Sequence, residues 1–168
     1  MNLGNRRLTN DELCDHFAAM AFSNVGAFLA SGNIVFETDE QDRQRVGERI
    51  ETGLQERLGY DVPTFLRSGR EVVAIAESGP FRDERGAQGG KPQVMLLPSP
   101  PAATARKRVL ALATEDDQLA FDGCELHWLP TAGISTSELD LRSIEKSIGP
   151  TTTRTRNTLE RLVAKFLA

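Results

Sequence analysis

The fold turns on VGAFLASGNIVFET, Val25 to Thr38. Two apolar runs flank Ser31-Gly32-Asn33, and glycine and asparagine tolerate the positive φ that a tight turn demands, so the stretch predicts a β-hairpin. Its neighbours decide what the hairpin belongs to. Upstream, Thr9-Asn10-Asp11-Glu12 is a capping box, in which the threonine hydroxyl accepts the N3 amide and Glu12 reaches back to the cap. It opens a helix over Asn10 to Ala21, with Leu13, Phe17 and Met20 on one face and Cys14 beside them. Downstream, Glu40 to Leu58 reads as a second helix with Val46, Ile50, Leu54 and Leu58 in register and Gly59 at the C-cap. Asp61 to Arg67 then reads as a strand, with Pro63 setting it at an edge or a strand start. The order is α-β-β-α-β.

Ser68-Gly69-Arg70-Glu71 is another capping box and opens a short helix to Glu77. Ser78 to Gly90 is polar and holds four glycines and one proline, which makes it the connecting loop between a first half at 1–77 and a second at 91–168. In the second half, Lys91 to Leu97 predicts a strand and PSPPAATARKRVLALAT a proline-started helix. Leu119 to Leu129 predicts two strands joined at Asp122-Gly123. Ser135 to Ile148 predicts a helix closed by Gly149-Pro150, and the terminal helix follows. The whole is an α+β chain of two ferredoxin-like, split βαβ halves plus a C-terminal helix. The first half lacks its first strand, a position normally central in the sheet, so either the start at Met1 is late or a partner chain fills the gap and makes a homodimer.

Composition narrows the function classes. The 168 residues are 39% hydrophobic and 26% charged, the balance of a soluble globular protein. A net charge of −4 means no global field draws polyanions, so any nucleic-acid role needs a local basic face. Cys14 and Cys124 are far apart with no metal-ligand spacing and read as buried reduced thiols. No leader pattern and no apolar run of membrane-spanning length is present, which points to the cytoplasm and to no membrane partner.

Four stretches in order, NLGNRRLTNDEL, FSNVGAFLASGNIVFET, GISTSELDLRSIEKSIG and TTTRTRNTLERL, resemble the bacterial family known as domain of unknown function 1697. The resemblance covers nearly the whole chain. Members typically begin with a short apolar strand running into a pattern like RGINVGG, and this chain starts inside it, which agrees with a late start. The resemblance implies a pair of ferredoxin-like subdomains and no established reaction. Asn2, Gly4 and Arg7 match its glycine-rich turn, and Ser31, Gly32 and Asn33 its SGN turn. Ser137 and Leu139 match an S-K-L pattern in which Glu138 replaces the lysine. Arg154, Asn157 and Thr158 match a pattern like RNWNT in which Thr155 and Arg156 replace the middle residues.

Among these, TTTRTRNTLERL is the best place to look for a ligand. A helix N-terminus exposes unpaired amides and partial positive charge, and arginine grips phosphate bidentately. From Gly149 to Ala168 four basic residues face one acid. The plainer reading is a capped terminal helix docked by Leu159, Leu162, Val163 and Phe166. The SGN turn divides likewise between hairpin geometry and a phosphate contact from Ser31. The glycine turn lacks the GxxxxGK[ST] and GxGxxG spacings. His16 and His127 lack partners at ligand spacing, so no metal or cofactor is expected. Asp116-Asp117 reads as a cap in a solvated loop, and Trp128 as core rather than a base-stacking platform.

The expectation is therefore a binding module for an anionic ligand, a nucleotide or nucleic-acid segment, using Arg7, Ser31, Asn33, Arg154, Arg156 and Asn157. Two alternatives stand beside it. One is an enzyme acting on a phosphorylated small molecule through the same residues. The other is a structural or protein-interaction role with no small-molecule site. No catalytic constellation is visible.

Overall fold

A computed structural model describes residues 2–3, 6–84 and 90–168, with the backbone alone at residues 2, 3, 6 and 7. The chain is α+β and forms two compact units, Met1–Leu66 and Arg67–Ala168.

In the first unit, β1 (Asn2–Leu3) pairs with β2 (Arg6–Arg7). The capping box at Thr9 forms with both of its bonds and starts α1 (Asn10–Ala19). The hairpin consists of β3 (Ser23–Phe28) and β4 (Asn33–Glu37), joined by a short 3-10 turn at Leu29–Ser31. Gly32 takes φ 72 there, the left-handed conformation that favours glycine. Helix α2 (Arg43–Leu58) begins later than its apolar pattern suggests, because Asp42 caps it through the amides of Gln44 and Arg45. Val46, Ile50, Leu54 and Leu58 are all buried. They close a core with Leu13, Phe17 and Phe22, and Phe36 joins the two phenylalanines in an aromatic trio at 4.4–5.8 Å.

One expected strand is missing. Residues 61–68 carry no strand pairing, although Val62 is buried and Leu66 packs on the same core. Pro63 has no amide to donate, and the Thr64 hydroxyl takes the Val62 carbonyl at 3.3 Å, so the segment is held by its side chains instead of by a ladder.

The second unit starts with α3 (Gly69–Glu77), opened by the Ser68 capping box. This helix, read from sequence as the end of the first half, packs against the terminal helix inside the second unit. Then come β5 (Gln93–Leu96), α4 (Ala103–Leu110), β6 (Asp117–Asp122), β7 (Glu125–Pro130), α5 (Leu141–Ile148), β8 (Thr152–Thr155) and α6 (Arg156–Phe166). The strands form one antiparallel sheet in the order β6-β7-β5-β8.

Two boundaries differ from expectation. Helix α5 starts at Leu141 and not Ser135, because the Asp140 carboxylate caps it at the Ser143 amide and 134–136 form only a 3-10 turn. Thr152–Thr155, read as the run-up to the last helix, is a strand. Cys14 and Cys124 form no disulfide and are half-buried, less enclosed than predicted.

Both faces of this sheet are covered. Met95, Leu126 and Trp128 lie under Val109 of α4 and Ile144 of α5. Across the sheet, Val94 packs on Ile75 and Ala76 of α3 and Leu159 of α6. Trp128 is core and is covered on its face of this sheet, so it offers no platform for bases to stack on.

Candidate functional site

The corner where β8 runs into α6 is built by competition between two demands on the same threonines. The outer edge of β5 offers backbone partners from Gln93, opposite Thr155, to Leu96, opposite Thr152. β-Branched residues suit a pleated strand, so pairing wins as far as Thr155. There the Thr155 hydroxyl accepts the Thr158 amide at 3.1 Å and the helix begins.

Strand geometry then separates the two arginines. Arg154 is half-buried, and its Nη1 donates to Thr152 Oγ1 at 2.7 Å and to the Thr153 carbonyl at 2.8 Å. Burial pulls its pKa down. Arg156, the first residue of α6, is only 5% exposed. Its Nε and Nη2 donate to the Ala76 carbonyl at 3.2 and 3.0 Å, Nη2 also donates to the Ser78 carbonyl, and Glu160 lies 3.5 Å away. The Arg156 guanidinium thus satisfies carbonyls at the C-terminal end of α3, which no helical amide can reach. Burial lowers its pKa, with Glu160 acting against that. Asn157 is exposed beside it.

Of the remaining candidates, all in the first unit, Asn33 and Ser31 meet in their turn. The Asn33 side-chain amide donates to the Phe28 carbonyl at 3.0 Å and to Ser31 Oγ at 2.9 Å. These atoms brace the hairpin. Arg7 pairs through its backbone with Asn2, while its side chain and Gly4 lie outside the described residues. Residues 1–66 hold 6 Lys or Arg against 11 Asp or Glu, and residues 67–168 hold 14 against 13. Any excess of positive charge is thus local to the second unit.

Sequence reading missed Asp117. Placed in a solvated loop by its neighbour Asp116, it is 1% exposed. Its Oδ1 accepts from Trp128 Nε1 and from Ser137 Oγ, both at 2.7 Å. The cause is its place at the start of β6, opposite Pro130, which turns the side chain under the indole. Arg67 was missed too. Its side chain, only 6% exposed, pairs with Glu125 at 2.7 Å and donates to the Leu97 and Cys124 carbonyls.

Residues 1–127 match the family described as Protein of unknown function (DUF1697). The chain belongs to that family. Ser137, Leu139, Arg154 and Asn157 fall beyond the stretch that matches DUF1697, and the match gives no support to a late start. No curated protein matches. The fold is similar to that of the conserved bacterial protein SP0830 from Streptococcus pneumoniae, with a TM-score of 0.71 and 17% identity over 96% of this chain and 91% of that one. At that identity the likeness speaks for the fold alone.

In this DUF1697 chain, two motif positions of the S-x-L pattern have structural duties. The Ser137 hydroxyl is tied to Asp117 and accepts the Leu139 amide at 3.1 Å, and Leu139 is buried. Among the described residues no group of three His, Cys, Asp or Glu could hold a metal ion, and no helix is long and apolar enough to cross a membrane. A shallow depression of about 410 Å³ in the first unit is lined by Met20, Arg45, Glu48, Arg49, Thr52, Gly53 and Glu56. It mixes both charges and includes none of the candidate residues.

Proposed function

We propose that this DUF1697 chain is a binding module for an anionic ligand, a nucleotide or nucleic-acid segment, engaged at the β8–α6 corner. Arg154 carries the reading. Its guanidinium is oriented on an edge strand by Thr152 and Thr153, next to the N-terminal end of α6 with its partial positive charge and to the exposed Asn157. Arg156 serves as the anchor that ties this corner to α3. Ser31 and Asn33 are set aside because their polar atoms are engaged in their own turn, and Arg7 because its side chain is not described.

The same proposal reads the second unit as ferredoxin-like. The βαββαβ order with strands arranged β6-β7-β5-β8 supports it. Two cysteines held as thiols and not as a disulfide support a reducing, cytoplasmic setting.

The test is calorimetric titration of the whole chain with ATP, pyrophosphate and an oligothymidylate, repeated with Arg154→Gln. A charge-assisted hydrogen bond of about 1.5–3 kcal/mol predicts at least a tenfold loss of affinity. Equal affinity in the variant, or no binding by any of the three, sinks the reading.

A protein-interaction role is favoured by a separate observation. Leu110, Ile134 and Leu141 are 40%, 52% and 46% exposed. They lie at the end of the second unit where β6 begins and β7 ends, since α4 leads into the first of these strands and α5 follows the second. Sedimentation over a range of concentrations, with Ile134→Glu as the control, tests whether copies associate there. A monomer throughout removes the homodimer. Nothing among the described residues favours an enzyme acting on a phosphorylated small molecule.

A further inference from the structure

Across the second unit's sheet, Ala120, His127, Val94 and Arg154 stand in register, so their side chains share the face covered by α3 and α6. His127 is only 2% exposed. The chain leaving α3 runs directly over it: a Cβ added to Gly79 would stand 2.9 Å from the imidazole Cε1. Gly79 also holds φ +97, which side-chain-bearing residues rarely adopt. The same turn is gripped from α6, where Arg156 donates to the Ala76 and Ser78 carbonyls. The end of α3 is therefore clamped between a buried guanidinium and a buried imidazole.

We propose that His127 is an acid-sensitive latch on the segment leaving α3. Neutral, the imidazole is the surface on which Gly79 packs. Once protonated, it is a second buried cation near Arg156, and the Ser78–Gly79 turn lifts from β7 to let water reach it. The inference stands apart from the anion reading, since neither Gly79 nor His127 belongs to the β8–α6 corner.

Burial sets the direction, and the surrounding charges modify it. Desolvation is the largest influence and lowers its pKa; Asp122 at the end of β6 raises it, and Arg156 from α6 lowers it. Glu160, Arg82 and Asp83 act on Arg156. Arg154 on β8 shares the sheet face, while β5 presents Val94 and α3 presents Ile75 and Ala76. The folded imidazole therefore binds a proton less readily than a free one, whose pKa is about 6.5. Stability is complete above that value. As pH falls through it, the open state takes up a proton that the closed state refuses. The opening constant then rises by up to about tenfold per pH unit until the folded pKa is reached.

The experiment is amide hydrogen exchange across the pH range 7.5 to about 5, corrected for intrinsic rates, on the whole chain carrying His16→Gln so that His127 is the sole imidazole. Protection at Glu77–Gly79 is expected to fall by up to about tenfold per pH unit below about 6.5 while β5 and β7 keep theirs. His127→Gln should flatten the response. Should that variant fail to fold, the NMR titration of the imidazole decides instead, and its midpoint must lie below about 6.5 and track the exchange. A midpoint at or above the free value, a response that survives His127→Gln, or simultaneous loss across the sheet overturns the latch.

Discussion

Replacing Arg156 by alanine should cost the second unit about 3–5 kcal/mol, because two backbone carbonyls each lose a charged donor worth about 1.5–3 kcal/mol. The geometry supports summing them: three bonds run from one guanidinium to Ala76 and Ser78, and the residue is 5% exposed, so water does not replace the lost donors at once. The ion pair with Glu160 adds little, since that carboxylate is half exposed and surface pairs are worth about 0.2–1 kcal/mol. Lysine should recover only part of the loss, because an ammonium lacks the planar fork that reaches both carbonyls. Arg154→Ala is the comparison. Its Nη1 donates to Thr152 and Thr153 of its own strand, and the substitution should cost about 1 kcal/mol. The assay is urea denaturation followed by the fluorescence of Trp128, the single tryptophan, which reports the second unit. With a slope of about 2 kcal/mol per molar, the Arg156→Ala midpoint should fall by roughly 2 M at unchanged slope. A loss below about 1 kcal/mol, or one no larger than that of Arg154→Ala, would refute the claim that Arg156 anchors α3.

Other substitutions probe the rest of the framework. Asp117→Ala should cost about 2–4 kcal/mol by orphaning Trp128 Nε1 and the Ser137 hydroxyl, and a red shift of Trp128 emission in the folded protein would report water reaching the indole. Asp117→Asn keeps an acceptor and should cost clearly less; equal losses would contradict the assigned bonds. Gly90→Ala should be severe, about 2–3 kcal/mol or more, because the added Cβ would stand 1.6 Å from the Pro130 carbonyl oxygen. Gly47→Ala in α2 meets nothing within 4 Å and should raise the melting temperature through a gain of about 0.5–1 kcal/mol in helix propensity. A destabilised Gly47→Ala would mean that the α2 surface is contacted in solution.

The parts of the fold that were legible in sequence have their determinants close together. Thr9 and Glu12 are three residues apart, as are Ser68 and Glu71, and each pair makes its capping box. Gly59 ends α2 at φ 78, just past the last of four apolar residues spaced by four. Where determinants are distant, reading by period and charge failed. Thr152–Thr155 became a strand because β5, nearly sixty residues upstream, offers an open edge. Asp117 is held inside by an indole eleven and a serine twenty residues away, and Asp61–Arg67 has no pairing although its residues looked fit for a strand.

The candidate arginines divide for a related reason. Counting charge sets arginines against carboxylates, but backbone carbonyls carry no formal charge and do not enter the count. A helix end leaves such carbonyls without amides, and a buried guanidinium satisfies two or three of them with its fixed fork of donors. Arg156 does this for α3 from a sequence distance of 80 residues, and Arg67 likewise spends its donors on backbone, at the Leu97 carbonyl and at the Cys124 carbonyl that also accepts the Leu97 amide. Part of the cation surplus near the C-terminus is thus a response to the protein's own dipoles. Among the basic residues of 149–168, Arg156 is explained by folding, and Arg154, at the outer edge of the sheet beside the start of α6, is the residue on which the anion reading has to be tested.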